Sequence, residues 1–181
     1  YNCKVSTLQK EMGAELIINI SASPFHENKI RERIEHVSSK AKQLRLPFIY
    51  CNMIGGQEEL IFDGSSFAIS KEGLLLYQAR SFNEDLKIVN IASNKKYIAS
   101  AMCREEEIFN ALCLGVKDYF LKTGHEKTVL GLSGGIDSAL VASIAVSALG
   151  KNNVYGISLP SKFSSSHSLN DAKQLATNLG I

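Results

Sequence analysis

The chain has 181 residues, 45% hydrophobic and 21% charged. This is the make-up of a globular protein with a sizeable core and one or two domains. A net charge of +2 is too small to indicate nucleic acid or an anionic membrane as a partner, and no apolar run approaches a membrane span.

Tyr1 is not a natural start, so the native N-terminus is expected upstream of it. Residues 5–13 read as the end of a helix stopped by Gly13. Leu16 to Ile20 is an apolar run suited to a buried parallel strand. It ends in the small-residue loop Ser21-Ala-Ser-Pro-Phe25, and loops at carboxyl strand ends are where open α/β layers bind ligands. Residues 27–44 predict a helix with Ile30, Ile34, Val37, Ala41 and Leu44 on one face and a solvated, charged opposite face. Pro47 opens another buried strand, Phe48 to Cys51.

After Gly55-Gly56 the pattern becomes antiparallel: Leu60–Phe62, Phe67–Ile69 and Leu74–Tyr77, with turns at Asp63-Gly64 and at Lys71 to Gly73. Leu86 to Ile91 reads as one more strand. Residues 92–103 have no clear period and are taken as the linker between a domain over 1–91 and a second over 104–181. The four cysteines, Cys3, Cys51, Cys103 and Cys113, form no C-x-x-C pair and have no metal-ligand spacing with the histidines. Cys51 and Cys113 read as small core residues, and a reducing cytoplasm is the simple inference.

The second domain opens with a helix over 104–122, with Ile108, Leu112, Val116 and Tyr119 on one side. Val129 to Leu132 predicts a strand, Ser133-Gly134-Gly135 a sharp turn, and Asp137 to about Gly150 a buried helix. Val154 to Leu159 predicts the next buried strand, followed by a serine-rich loop. The last helix has Leu169, Ala172, Leu175, Ala176 and Leu179 inward and stops at Gly180. Strand, helix, strand, helix is a parallel, doubly wound α/β layer with right-handed crossovers. One and a half such repeats do not close a domain, so the chain is expected to stop inside a fold.

The turn carries the chemistry. A strand–glycine–helix sequence aims a helix N-terminus, with its unpaired N–H groups and partial positive charge, at an anion. Gly134 and Gly135 let the backbone approach a phosphate, and Ser133 and Ser138 add hydroxyl donors. Asp137 repels phosphate directly but suits a Mg²⁺ that bridges to it. No lysine lies between Gly131 and Ser138, so this is not a Walker A loop. The competing reading is a plain strand-to-helix turn.

Ser133-Gly-Gly-Ile-Asp-Ser138 resembles the pyrophosphate loop of the N-type ATP pyrophosphatases, which adenylate a substrate oxygen. The loop alone also fits GMP synthetase, asparagine synthetase or tRNA-thiolating enzymes. Gly156 to Ser165 and Asp171 to Ile181 resemble the segment after that loop in NAD synthetases. Gly13 to Phe25 and Gly55 to Phe67 are similar to the nitrilase-type glutaminase domain of the same enzymes. The whole therefore resembles glutamine-dependent NAD synthetase. The fold so implied is the C-terminal part of a nitrilase-like α-β-β-α sandwich followed by the start of a Rossmann-like adenine nucleotide alpha hydrolase domain.

The resemblance implies an ATP-dependent amidation of deamido-NAD through an adenylate, with ammonia drawn from glutamine. ATP and Mg²⁺ are required, and a homo-oligomer is expected. Residues Gly131, Leu132, Ser133, Gly134, Gly135, Ile136, Asp137 and Ser138 would bind ATP and its pyrophosphate, with Asp137 on the metal. Leu159, Pro160 and Phe163 would lie near the adenine. Ser23 and Lys29 fall where the family contacts glutamine; the alternatives are a turn residue before Pro24 and a solvated helix charge. The glutaminase Cys, Glu and Lys are expected upstream of Tyr1: Cys3 has neither the family's flanking residues nor the spacing from Ser23, and Cys51 sits where the family usually has an apolar strand residue. The rival function is a nitrilase-type amidase fused to a non-catalytic nucleotide-binding module.

Overall fold

The computed structural model describes residues 4–98, 102–159 and 165–181; Cys3, Pro160 and Phe163 lie outside them. The chain divides into two units, Tyr1–Gly55 with Leu60–Glu107, and Gly56–Glu59 with Ile108–Ile181. Among the described residues no helix is long and apolar enough to cross a membrane.

The first unit is built on a sheet of order β1-β2-β5-β6, where β1 is Ile17–Ser21, β2 Phe48–Asn52, β5 Phe67–Ile69 and β6 Leu75–Gln78. A short helix, α1 (Val5–Glu11), precedes it, and α2 (Lys29–Leu44) connects β1 to β2. The parallel register sets Ile17 beside Phe48 and Ser21 beside Asn52, so the carboxyl ends of β1 and β2 finish level. Val37, Ala41 and Leu44 of α2 pack with Ile17, Phe48, Tyr50, Phe67 and Ile69, and Tyr50 stacks on Phe67 at 4.9 Å between centroids. Arg45 ends α2 in the left-handed region at φ 50°, returning its N–H to the Ala41 carbonyl.

Four expectations change over residues 17–91. Ile54–Gln57 forms a further strand, β3, which pairs with β4 (Leu60–Asp63); the hairpin therefore turns at Glu58, not at Asp63-Gly64. Residues 86–91 form no strand, and Leu86 and Ile88 are each 97% exposed. The segment has apolar character but pairs with no strand among the described residues. The apolar run of β1 is buried mainly at Ile17; Ile18 and Ile20 are exposed, as is Cys51 across from Ile20. These side chains point to the face of the sheet opposite α2. Last, the charges of α2 are not all solvated, because Arg33, which falls on the apolar stripe, is 6% exposed.

The second unit contains most of α3 (Arg104–Thr123), then β7 (Thr128–Gly131), α4 (Ile136–Leu149), β8 (Val154–Ile157) and α5 (Ser166–Leu179). β7 and β8 are parallel, with Thr128 opposite Val154 and Gly131 opposite Ile157. Leu132, Ala142 and Ala172 form the core, flanked by Leu130, Leu175, Ala176 and Leu179. Burial is less complete than the apolar pattern predicts: Val129, Leu140, Val141, Tyr155 and Ile157 are exposed, and α3 buries only Ala111 while Leu112 and Tyr119 are exposed. Two strands and their helices cover one face of the layer, whereas a doubly wound sheet covers two. Burial pushes the Cys113 thiol up from its ordinary range, which suits an inert side chain.

Candidate functional site

In the second unit, β7 ends at Gly131 and α4 begins at Ile136, so residues 132–135 make the whole turn. Leu132 anchors it from below: its side chain is buried and its N–H bonds to the Ile157 carbonyl at 2.8 Å. Gly134 adopts φ +82°, and a Cβ there would lie 2.2 Å from the Ser168 carbonyl oxygen, so only glycine fits against the start of α5. Gly135 is the N-cap of α4 in an extended conformation and has no side chain to close the helix end.

The serines organise the turn internally. Ser138 Oγ donates to the Gly135 carbonyl at 2.9 Å and accepts from the Ser133 N–H at 3.3 Å. Ser133 Oγ accepts the Gly135 N–H at 3.2 Å and lies 3.0 Å from Ser138 Oγ, to which it donates once the Ser138 hydrogen is committed. Both hydroxyls, expected as free donors, thus bind inside the turn and must rotate outward to meet an anion. The N–H groups at the start of α4 remain the open donors.

Asp137 is the second residue of α4 and exposed; its carboxylate has no ion pair or hydrogen bond among the described residues. No group of three or more His, Cys, Asp or Glu side chains is positioned to hold a metal among the described residues. A lone, unpaired carboxylate still fits Mg²⁺, which binds through one or two carboxylates and fills its octahedron with water and phosphate oxygens. Leu159 is exposed at the end of the segment after β8.

In the first unit, Ser23 sits in the loop leaving β1, held on several sides. Its N–H donates to Asn52 Oδ1 at 2.9 Å, and Asn52 Nδ2 returns to its carbonyl at 3.2 Å. Arg33 Nε donates to Ser23 Oγ at 3.2 Å and Nη2 to the Ser23 carbonyl at 2.7 Å. Lys29 is half-buried at the first position of α2, 3.5 Å from Glu32. A cation there opposes the helix dipole, and Glu32 in the same turn offsets it. Ser23 and Lys29 bracket the one loop between β1 and α2, without direct contact between them.

Arg33, Asp63 and Asn52 are the residues that sequence reading missed. Arg33 lies three residues after Ile30 and four before Val37, on the apolar stripe of α2. A charge on that stripe is the signal that could have revealed it. Asn52 and Asp63 carried no such signal, because only the strand register and the fold bring them to Ser23.

Residues 108–181 match the family model described as NAD synthase. A glutamine-dependent NAD(+) synthetase of Synechocystis sp. is 46% identical over 177 residues, covering 94% of this chain and 32% of the relative. One of Aquifex aeolicus is 41% identical, covering 93% of this chain and 36% of the relative. The solved structure of the glutamine-dependent NAD+ synthetase from Acinetobacter baumannii, in complex with adenosine diphosphate, superimposes with a TM-score of 0.89 at 33% identity, covering 99% of this chain and 35% of that one. The chain thus spans about a third of the length of the curated relatives it matches. Residues 108–181 thus match the NAD synthase family model, and nearly the whole chain is similar to about a third of a glutamine-dependent NAD(+) synthetase.

Proposed function

We propose that this chain is part of a glutamine-dependent NAD synthetase, an ATP-dependent carbon–nitrogen ligase that amidates deamido-NAD. The observation that carries the reading is the turn between β7 and α4, a helix N-terminus with a glycine cap, two rotatable hydroxyls and an Asp137 carboxylate unpaired among the described residues. It matches what the pyrophosphate of ATP requires, and the NAD synthase family match covers it. The first unit belongs to the nitrilase-like glutaminase half in this reading, and the second opens the Rossmann-like ATP half.

A carboxylate does not condense with ammonia at neutral pH, so its oxygen must first carry a leaving group. Attack of the nicotinate carboxylate of deamido-NAD on the α-phosphorus of ATP expels pyrophosphate and leaves an acyl adenylate. The α4 N–H groups stabilise the charge that gathers on the departing pyrophosphate. Ser133 and Ser138 rotate from their internal bonds to donate to it. Asp137 would hold Mg²⁺, which neutralises that charge when bound. Ammonia then displaces AMP and forms the amide. In the first unit, Ser23 and Lys29 would hold the amino-acid head group of the glutamine that yields the ammonia. The family resemblance extends this to a cytoplasmic homo-oligomer.

The test is product identity. The full-length protein carrying this chain, given ATP, deamido-NAD and either ammonia or glutamine, should release AMP and pyrophosphate with NAD. Release of ADP and phosphate would sink the reading, because this loop is proposed to act through adenylation.

A further inference from the structure

We infer that Arg33 is a positioning residue for glutamine recognition, fixing the loop that carries Ser23 and committing the Ser23 hydroxyl to act as a donor toward the substrate carboxylate. The inference rests on the glutamine reading of Ser23 given above.

Arg33 sits mid-helix on α2 with its side chain 5% exposed, and Asp63 opposite is 4% exposed. A guanidinium has five N–H donors and no acceptor, and here each of its three nitrogens has a partner. Nη1 donates to the Asp63 carboxylate, at 2.8 Å to Oδ1 and 2.9 Å to Oδ2. Both Nη2 hydrogens meet loop carbonyls, Ser23 at 2.7 Å and Pro24 at 3.1 Å. Nε meets the Ser23 hydroxyl oxygen at 3.2 Å. Asp63 neutralises the charge and sets the plane of the group, which leaves three donors aimed at one dipeptide. Asn52 Nδ2 lies 3.4 Å from Asp63 Oδ1 and also donates to the Ser23 carbonyl, so the network closes on that residue.

Stability alone does not explain the placement. A buried ion pair is commonly no better for stability than apolar residues of similar volume. What a planar, five-donor group supplies is a fixed direction. The Nε hydrogen occupies a lone pair of Ser23 Oγ, so the hydroxyl's own hydrogen must point away from Arg33. A hydroxyl so directed donates, and the acceptor in an amino-acid head group is its carboxylate; the ammonium offers only donors. Lysine at position 33 would keep the charge, but its three donors have no fixed plane.

The experiment uses the full-length protein and measures glutamine-dependent and ammonia-dependent NAD synthesis separately. Arg33→Lys should raise the KM for glutamine about ten-fold or more, the scale of a lost hydrogen bond to a charged group, with ammonia-dependent turnover retained. The double variant Arg33→Met with Asp63→Leu removes both buried charges together and so guards against misfolding; it should show the same glutamine defect. Glutaramate keeps the carboxylate and lacks the amino group, and 4-aminobutanamide does the reverse. The penalties of Arg33→Lys and Ser23→Ala should persist with glutaramate and vanish with 4-aminobutanamide. If Ser23→Ala raises the glutamine KM but both Arg33 variants bind glutamine as the parent does, the positioning role is overturned. A penalty that persists with 4-aminobutanamide overturns the donor assignment. Equal loss with ammonia makes Arg33 merely structural. If Ser23→Ala leaves the glutamine KM unchanged, the glutamine reading of the loop fails first and this inference fails with it.

Discussion

Asp137 stands at a helix N-terminus whose cap is Gly135, so it is two residues too deep to serve as the N-cap itself. Replacing it with Asn keeps the shape and removes an acidic side chain from the first turn, a stability change of about 0.3–1 kcal/mol. Loss of a positioned stabiliser of developing charge has a far larger effect, about 10²–10³-fold in rate. Asp137→Asn should therefore abolish most ammonia-dependent synthesis in the full-length protein while melting within a few degrees of the parent. Near-normal turnover across a Mg²⁺ titration would remove the metal from the account of this loop. The two glycines should separate in the same way. Gly134→Ala forces a Cβ into the Ser168 backbone at a positive φ, and should lower the melting temperature with or without ATP. Gly135→Ala adds a Cβ that meets only Ser133 Oγ at 3.4 Å, at an ordinary φ of −90°. It should fold like the parent yet lose ATP affinity, because the phosphate must approach the backbone where the methyl group now stands. Isothermal titration with ATP decides it, and parent-like affinity would count against phosphate contact at Gly135.

Among the elements, the segment after β6 shows how side chains can replace a strand. Asp85 accepts the Arg80 backbone N–H at 3.0 Å and the Tyr77 hydroxyl at 2.8 Å. Tyr97 packs edge-on to Tyr77 at 5.5 Å, and its N–H bonds to the Leu75 carbonyl at 2.8 Å. The Arg80 N–H, and then the Tyr77 hydroxyl, hold the Asp85 carboxyl below its ordinary range. A carboxylate whose folded pKa is depressed contributes stability above its unfolded pKa and loses it as pH falls through the folded value. Amide exchange over residues 82–88 should therefore accelerate only at a pH below the ordinary carboxylate range. Tyr77→Phe should move the Asp85 carboxyl titration upward, as followed by NMR. An Asp85 midpoint in the ordinary range, unmoved by Tyr77→Phe, would show that these bonds do not persist in solution.

At the scale of the whole chain, the sequence by itself determined what local chemistry settles. The helices follow from apolar spacing and from stops such as Gly180, because helical hydrogen bonds close within four residues. The turn at 132–135 was legible because its glycines, serines and aspartate are consecutive and act on one another. The tertiary structure alone decided matters that depend on partners distant in sequence. Residues 86–91 look like a strand but pair with none among the described residues, whereas Ile54–Gln57 becomes one because β4 lies alongside. A strand's identity is a property of its neighbour. Apolar runs in β1, β7 and β8 predict burial, but the layer covers one face of them, so Ile20 and Val129 stay exposed. Arg33 reads as a surface charge until Asp63, the Ser23 hydroxyl and the Ser23 and Pro24 carbonyls arrive to meet its three nitrogens. Burying a charge is costly unless its partners are in place, and those partners lie 30 residues along the chain and across the β1–α2 loop, where no local pattern reaches.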